Sequence, residues 1–184
     1  MGTFDDRIQE VLYDGDAVSA KVRELGARIT KDYAGRGNGL VVISILRGAL
    51  VFTADLIRQI DLDLKLDTMV VSSYGQTTRS SGVVRINKDL EEDIAGCDVL
   101  LVEDIVDTGL TLSYLKKTLA GRDPASIRTC VLLDKPERRE VELEIDYLGF
   151  TIPDAFVVGY GLDYSQEYRN YPGVAVLRPE VYGD

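Results

Sequence analysis

No histidine occurs among the 184 residues of the chain. That absence excludes Ser-His-Asp triads, His-ligated zinc and imidazole general bases, so acid/base chemistry must fall to carboxylates, Lys, Tyr or Cys. Cysteine is scarce as well. Cys97 and Cys130 each lie in an apolar stretch with no CxxC or Cys/His ligand spacing between them, and both read as core thiols. Positive charge is outnumbered, with 21 Lys and Arg against 31 Asp and Glu and a net charge of −10. A surface of that sign repels a phosphate backbone, and nucleic acid is not expected as a partner. A phosphorylated small molecule remains open, because a local nest of backbone N–H groups or a bound cation can outweigh the global charge. No apolar run approaches the length of a membrane span. The opening Met1-Gly2-Thr3-Phe4-Asp5-Asp6 has neither the basic nor the apolar part of a signal peptide. The expectation is a soluble, cytoplasmic protein with no membrane partner.

What is present suits one compact domain spanning residues 1–184, since 45% hydrophobic residues are enough to close a core. From Asp16 to Tyr33, apolar Ala17, Val18, Val22, Leu25 and Ile29 recur at helical spacing until Gly35-Arg36-Gly37-Asn38-Gly39 stops them. Leu40 to Ile45 is a continuous, β-branched apolar run, the pattern of a strand covered on both faces in a parallel sheet. The same criteria predict a helix over Gly48–Ile60 and strands over Asp63–Ser73 and Val83–Asn87, with a polar loop at Gln76–Gly82 between the two strands. They continue with a strand over Asp98–Val102, a helix over Thr111–Ala120 and a strand over Ser126–Leu133. That order argues an α/β fold with a mainly parallel central sheet flanked by helices and joined by right-handed crossovers. Short strand-like pieces at Val141–Phe150, Phe156–Gly159 and Val174–Leu177 are expected to form a small covering hood, from about residue 141 to 184.

The strongest chemical signal runs from Leu100 to Thr111: a buried strand, the acids Glu103 and Asp104, two apolar residues, Asp107, then Thr108-Gly109 opening a helix. Open α/β sheets bind ligands at the carboxyl ends of their strands, and a helix N-terminus presents free N–H groups to phosphate. Three carboxylates at such a mouth repel one another unless a divalent cation or hydroxyl donors sit among them. The plainer alternative is that two acids cap the next helix and the third is solvated.

The segment Val102-Glu103-Asp104-Ile105-Val106-Asp107-Thr108-Gly109-Leu110-Thr111 resembles the phosphoribosyl-pyrophosphate signature of the type I phosphoribosyltransferases, and the likeness extends from about Val41 to Leu177. It implies that Glu103 and Asp104 hold the ribose hydroxyls and, directly or through water, a magnesium ion, that Asp107 is the catalytic residue and serves a purine ring nitrogen, and that Thr108, Gly109, Leu110 and Thr111 wrap the 5′-phosphate. Ile45-Leu46-Arg47-Gly48-Ala49 looks like the family's pyrophosphate loop, which carries a non-proline cis peptide. Arg47 stands where many members have Lys. Ser73 and Tyr74 match the Ser-Tyr pair of the flexible catalytic loop.

Those two loops and two further segments resemble the hypoxanthine-guanine branch in particular. Lys135, in Leu133-Asp134-Lys135-Pro136, falls on the residue that donates to a purine 6-oxo group. In the stretch from Ile152 to Tyr164, Phe156 would stack on the base and the Val157 backbone would bond its edge. Asp163 would reach a second magnesium, and Arg169 the pyrophosphate. Taken without the resemblance, Lys135 is a solvated charge, Phe156 a core aromatic and Asp163 a turn acid. The resemblance therefore implies a purine-salvage transferase that uses 5-phosphoribosyl 1-pyrophosphate and a 6-oxopurine base with Mg2+, and that assembles as a homodimer or homotetramer. The alternatives are a phosphoribosyltransferase for xanthine or another base, and a nucleotide-sensing regulator on the same fold.

Overall fold

The computed structural model describes residues 4, 6–73 and 84–183. Its elements are β1 (Ile8–Tyr13), α1 (Gly15–Tyr33), β2 (Leu40–Leu46), α2 (Leu50–Ile57), β3 (Leu64–Ser73), β4 (Val84–Lys88), β5 (Asp98–Val106), α3 (Leu110–Ala120), β6 (Ser126–Asp134), β7 (Tyr147–Thr151), β8 (Val157–Val158), β9 (Val174–Leu177) and α4 (Pro179–Tyr182). Six strands form the main sheet in the order β4-β3-β2-β5-β6-β7. All its neighbouring pairs are parallel except β4, which runs antiparallel on the edge strand position beside β3.

The continuous apolar runs are explained by burial on both faces. Val42, Leu100 and Leu132 point to the face packed by Val18, Val22, Leu25 and Ile29 of α1 and by Phe52 and Leu56 of α2. Their sequence neighbours Ile43, Leu101 and Val131 point the other way, onto Leu112, Leu115 and Leu119 of α3. Alternation along a strand sends adjacent residues to opposite faces, so a strand between two helical layers must be apolar at every position. Among the described residues no helix is long and apolar enough to cross a membrane.

A second sheet, β1-β9-β8, is antiparallel and lies apart from the first. Its first strand comes from the N-terminus, a stretch to which the sequence reading assigns no element. Gln9 and Glu10 interrupt the apolar pattern there, as an exposed edge strand allows, and the partner that makes it a strand is β9, near the other end of the chain. Conversely, Tyr147–Thr151, expected in the covering hood, is the outermost parallel strand of the main sheet, on β6.

Asp67 shows how a buried charge is held in this frame. It lies in β3 at 6% exposure and accepts from the N–H groups of Thr68 (2.7 Å), Glu91 (2.8 Å) and Glu92 (3.2 Å), with Lys88 Nζ 3.6 Å away. Burial alone would raise its pKa, but these donors together hold the carboxyl below its ordinary value. A depressed folded pKa contributes stability above the unfolded value of ~3.9, and that stability is lost as pH falls through the folded pKa. Asp67→Ala is therefore expected to lower unfolding free energy by about 2–3 kcal/mol at neutral pH and to flatten the loss of stability on acidification. Urea denaturation of both proteins from neutral to acid pH measures this, and equal midpoints at neutral pH would refute it.

Candidate active site

β5 does not stop at Val102, as the sequence suggests, but runs on to Val106, because its ladder with β6 continues as far as Val106 opposite Asp134. Glu103 and Asp104 thus belong to the strand's carboxyl end. From the β2–β5 pair, the chain goes outward through β3 on one side and through β6 on the other. The neighbouring strands β2 and β5 therefore flank the point where strand order reverses, where the loops after parallel strands part and leave a crevice. Leu46, Val106 and Asp134 end their strands on that one edge. This brings together Arg47-Gly48, the acids and Lys135, which are remote in sequence.

At the floor of the crevice stand the two adjacent acids. Glu103 Oε2 is enclosed and has no hydrogen-bond partner among the described residues. Burial, and then the charge of Asp104, push the Glu103 carboxyl well above the usual carboxylate range. Burial also raises Asp104, against the opposing pull of the Ile105 N–H (2.8 Å) and the charge of Arg169. A pair that resists ionisation in this way attracts a cation or hydroxyl donors. No group of three or more metal-ligating side chains stands together among the described residues.

The loop after β2 closes over this pair. The Leu46–Arg47 peptide is cis. A Cβ on Gly48 would fall on the Asp104 carboxylate, and a Cβ on Gly161 would collide with the Gly48 carbonyl oxygen, so both positions leave room for no side chain. Gly161 also has φ +105, a conformation that favours glycine. Arg169 completes this corner, donating from Nη1 to the Gly161 carbonyl (2.7 Å) and pairing through Nη2 with Asp163 (2.7 Å). Arg47 itself is exposed.

After Asp107, Thr108 and Gly109 turn the chain into α3. Gly109 takes φ +83, and the Leu110 N–H reaches Thr108 Oγ1 at 3.4 Å. Glu103, Asp107, Thr108, Gly109 and Thr111 line a cavity of about 110 Å3 here, at the start of α3. Arg139 backs the turn, its side chain against Gly109 and its guanidinium paired with Asp134.

Lys135 is 6% exposed, with its N–H on the Val106 carbonyl (2.9 Å) and its ammonium 3.7 Å from Asp154. The sequence reading missed two residues beside it. Arg138, carried on the short Pro136–Arg138 turn, places Nε 3.1 Å from Asp107 Oδ1 and Nη1 3.8 Å from Asp154. An Arg three residues after a strand-end Lys, and an acid after Ile152-Pro153, are the available signals, and nothing in the sequence separates either from a solvated charge. Phe156 is 38% exposed and stacks on Tyr182 (ring centroids 4.7 Å apart, 23° between planes), with Tyr164 at its edge. Tyr182 was not anticipated either. Val157 is buried in β8. Ser73 ends β3, while Tyr74 and the loop at Gln76–Gly82 lie outside the described residues.

The family model of the phosphoribosyl transferase domain matches residues 9–165. The chain belongs to the phosphoribosyltransferase family. It is 50% identical over 175 residues to the hypoxanthine-guanine phosphoribosyltransferase of Bacillus subtilis, covering 95% of this chain and 96% of that protein. It is 49% identical over 177 residues to the bifunctional protein TilS/HprT of Listeria monocytogenes; that match takes in 96% of this chain but only 27% of the longer protein. The fold is similar to the crystal structure of a hypoxanthine phosphoribosyltransferase from Staphylococcus aureus, with a TM-score of 0.95 at 45% identity, covering 100% of this chain and 98% of that one.

Because Gly161 combines a positive φ with direct backbone contact to Gly48, Gly161→Ala should destabilise the fold by about 1–3 kcal/mol, the usual cost of a strained backbone position. Chemical denaturation measures it. A wild-type midpoint would show that the corner has slack.

Proposed function

We propose that the chain transfers the 5-phosphoribosyl group of 5-phosphoribosyl 1-pyrophosphate to hypoxanthine or guanine, giving IMP or GMP and pyrophosphate in purine salvage. One observation carries the reading: Glu103, Asp107 and the turn into α3 line one cavity, and the buried Lys135 adjoins it, its N–H on the Val106 carbonyl of the cavity wall. In this reading the turn at Thr108–Thr111 binds the 5′-phosphate, since the N-terminus of α3 offers N–H groups and a positive dipole end to an anion. Glu103 and Asp104 hold the ribose hydroxyls. Arg47, Gly48 and Arg169 serve the leaving pyrophosphate, Arg47 by its exposed charge and Gly48 by leaving its backbone bare.

Magnesium fits the acid pair, because Glu103 has an enclosed oxygen without a partner and a small hard cation is usually held by one or two carboxylates plus substrate oxygens. When bound it would neutralise charge on the departing pyrophosphate. Asp163 is the further candidate ligand, provided that Arg169, which pairs with it, turns to the pyrophosphate instead. The protein's own part is positioning and electrostatics. Purine N9 attacks the anomeric carbon as the bond to pyrophosphate breaks. Asp107 accepts or hydrogen-bonds the proton at N7, with the Arg138 guanidinium paired to it at 3.1 Å. Phe156, steadied by Tyr182, offers a stacking face, the Val157 backbone meets the purine edge, and Ser73 and Tyr74 are further candidates for contact with the substrates. We take residues 1–184 as one domain with the small sheet as its hood, and expect a homodimer or homotetramer.

Lys135 decides the class of base. An ammonium has three donors and no acceptor, so it satisfies a 6-oxo group and opposes the 6-amino group of adenine. A closed site built this way can reject the wrong base by up to ~10⁴-fold. Pyrophosphate release assayed with hypoxanthine, guanine, xanthine, adenine and uracil should show use of the first two and neglect of adenine. Lys135→Ala should lose most of its efficiency with hypoxanthine and gain little with adenine. An unaltered ratio of kcat/KM for the two bases would remove Lys135 from base recognition.

Asp107→Asn preserves shape and removes the proton acceptor. It should still bind the sugar substrate by calorimetry while turnover falls about 10²–10⁴-fold, the usual worth of a positioned acid/base group. Near-normal turnover with each purine would leave Asp107 a structural role only.

A further inference from the structure

The pyrophosphate half of the proposed site is assembled from two separate pieces of chain. Arg47-Gly48 leads directly into α2, whereas Asp163 and Arg169 ride on the segment after β8. These pieces meet where Gly161 abuts the Gly48 carbonyl. Backbone contact of that kind fixes closeness but not register, because a bare glycine has no side chain to interlock.

Beside the contact stands a polar link between residues that touch neither acid nor base site. Tyr160 is 6% exposed and donates its hydroxyl to Asp55 Oδ2 at 2.6 Å, across 105 residues of sequence. Asp55 lies on α2 and is also paired with Arg58. The helix is in turn anchored to β2 by the buried Ser44–Thr53 hydroxyl pair at 2.8 Å. On the other side, Tyr160 holds φ +50, and its N–H bonds the Tyr171 carbonyl at 2.8 Å. The next residue is Gly161, whose carbonyl accepts from Arg169 and whose N–H bonds the Arg169 carbonyl at 2.9 Å. A buried phenol bonded to a carboxylate is a directional tie, stronger than a neutral hydrogen bond, and a phenylalanine would fill the same space without it.

We propose that Tyr160 and Asp55 are positioning residues, whose hydrogen bond sets the register between the Arg47-Gly48 loop and the segment bearing Asp163 and Arg169, and so governs affinity for the pyrophosphate end of the sugar substrate. The inference rests on the reading of that loop as the leaving-group site. Base recognition at Lys135, Val157 and Phe156 does not pass through this link and should be spared.

The test compares wild type, Tyr160→Phe, Asp55→Ala and the double variant. Calorimetric titration with 5-phosphoribosyl 1-pyrophosphate in magnesium gives affinity, and steady-state assays give KM for that substrate and for hypoxanthine. Each single variant should bind the sugar substrate about tenfold more weakly, the order expected for a hydrogen bond to a charged group, with KM for hypoxanthine changed less than about twofold. The double variant should be no weaker than the singles, since both remove one interaction. Asp55→Ala lies on a half-exposed helical position and keeps the test available should Tyr160→Phe fold poorly. Unchanged sugar affinity, a parallel rise in both KM values, or additive losses in the double variant would each overturn the proposal. A wild-type protein that neither binds the sugar substrate nor releases pyrophosphate would instead sink the transferase reading itself.

Discussion

The candidate site depends on the contact between the Gly48 backbone and the Asp104 carboxylate. No side chain fits between them, and Gly161 presses on Gly48 from the adjoining segment. Three stretches of chain are thereby brought to backbone distance at the one edge where β2 and β5 part. Asp104 on β5 is covered by this closure, with Glu103 beside it. Enclosure raises the energy of their charged forms and leaves a Glu103 oxygen without a partner. The same packing that makes the corner compact makes it receptive to something positive.

Around this floor the charges come as matched pairs. Arg169 faces Asp163, Arg138 faces Asp107, and Lys135 faces Asp154, each within 3.7 Å. In a chain carrying −10, unpaired cations would be few, and these are kept at the crevice by acids that can exchange them for a ligand. A phosphate can draw on Arg169, a carbonyl on Lys135, and neither partner acid is fully buried, so release leaves no stranded interior charge. Pairing of this kind holds the donors in place before a ligand arrives, which reduces the ordering that binding requires.

Much of the frame could be read from local pattern. The apolar runs of β2, β5 and β6 and the spaced apolar residues of α1 and α3 state their burial directly, because a strand or helix between layers has to match its surroundings at every turn of its period. β1 was not readable, since a strand interrupted by Gln9 and Glu10 exists only through pairing with β9, from the opposite end of the chain. The end of β5 was misjudged for a related reason. Acids look like the close of a strand until a parallel partner, here β6, is known to carry the ladder past them.

The sequence by itself determined the α/β class, the parallel sheet and the signature from Glu103 to Thr111, all of which depend on residues adjacent in the chain or repeated at a fixed spacing. The tertiary structure alone decided that Arg138 and Asp154 stand between Asp107 and Lys135, that Tyr182 backs Phe156, and that Tyr160 reaches Asp55. Such pairs carry no periodic or compositional mark. A charge or ring on a turn reads as solvated until folding brings up the partner that removes its water, and here several of those partners lie on other elements.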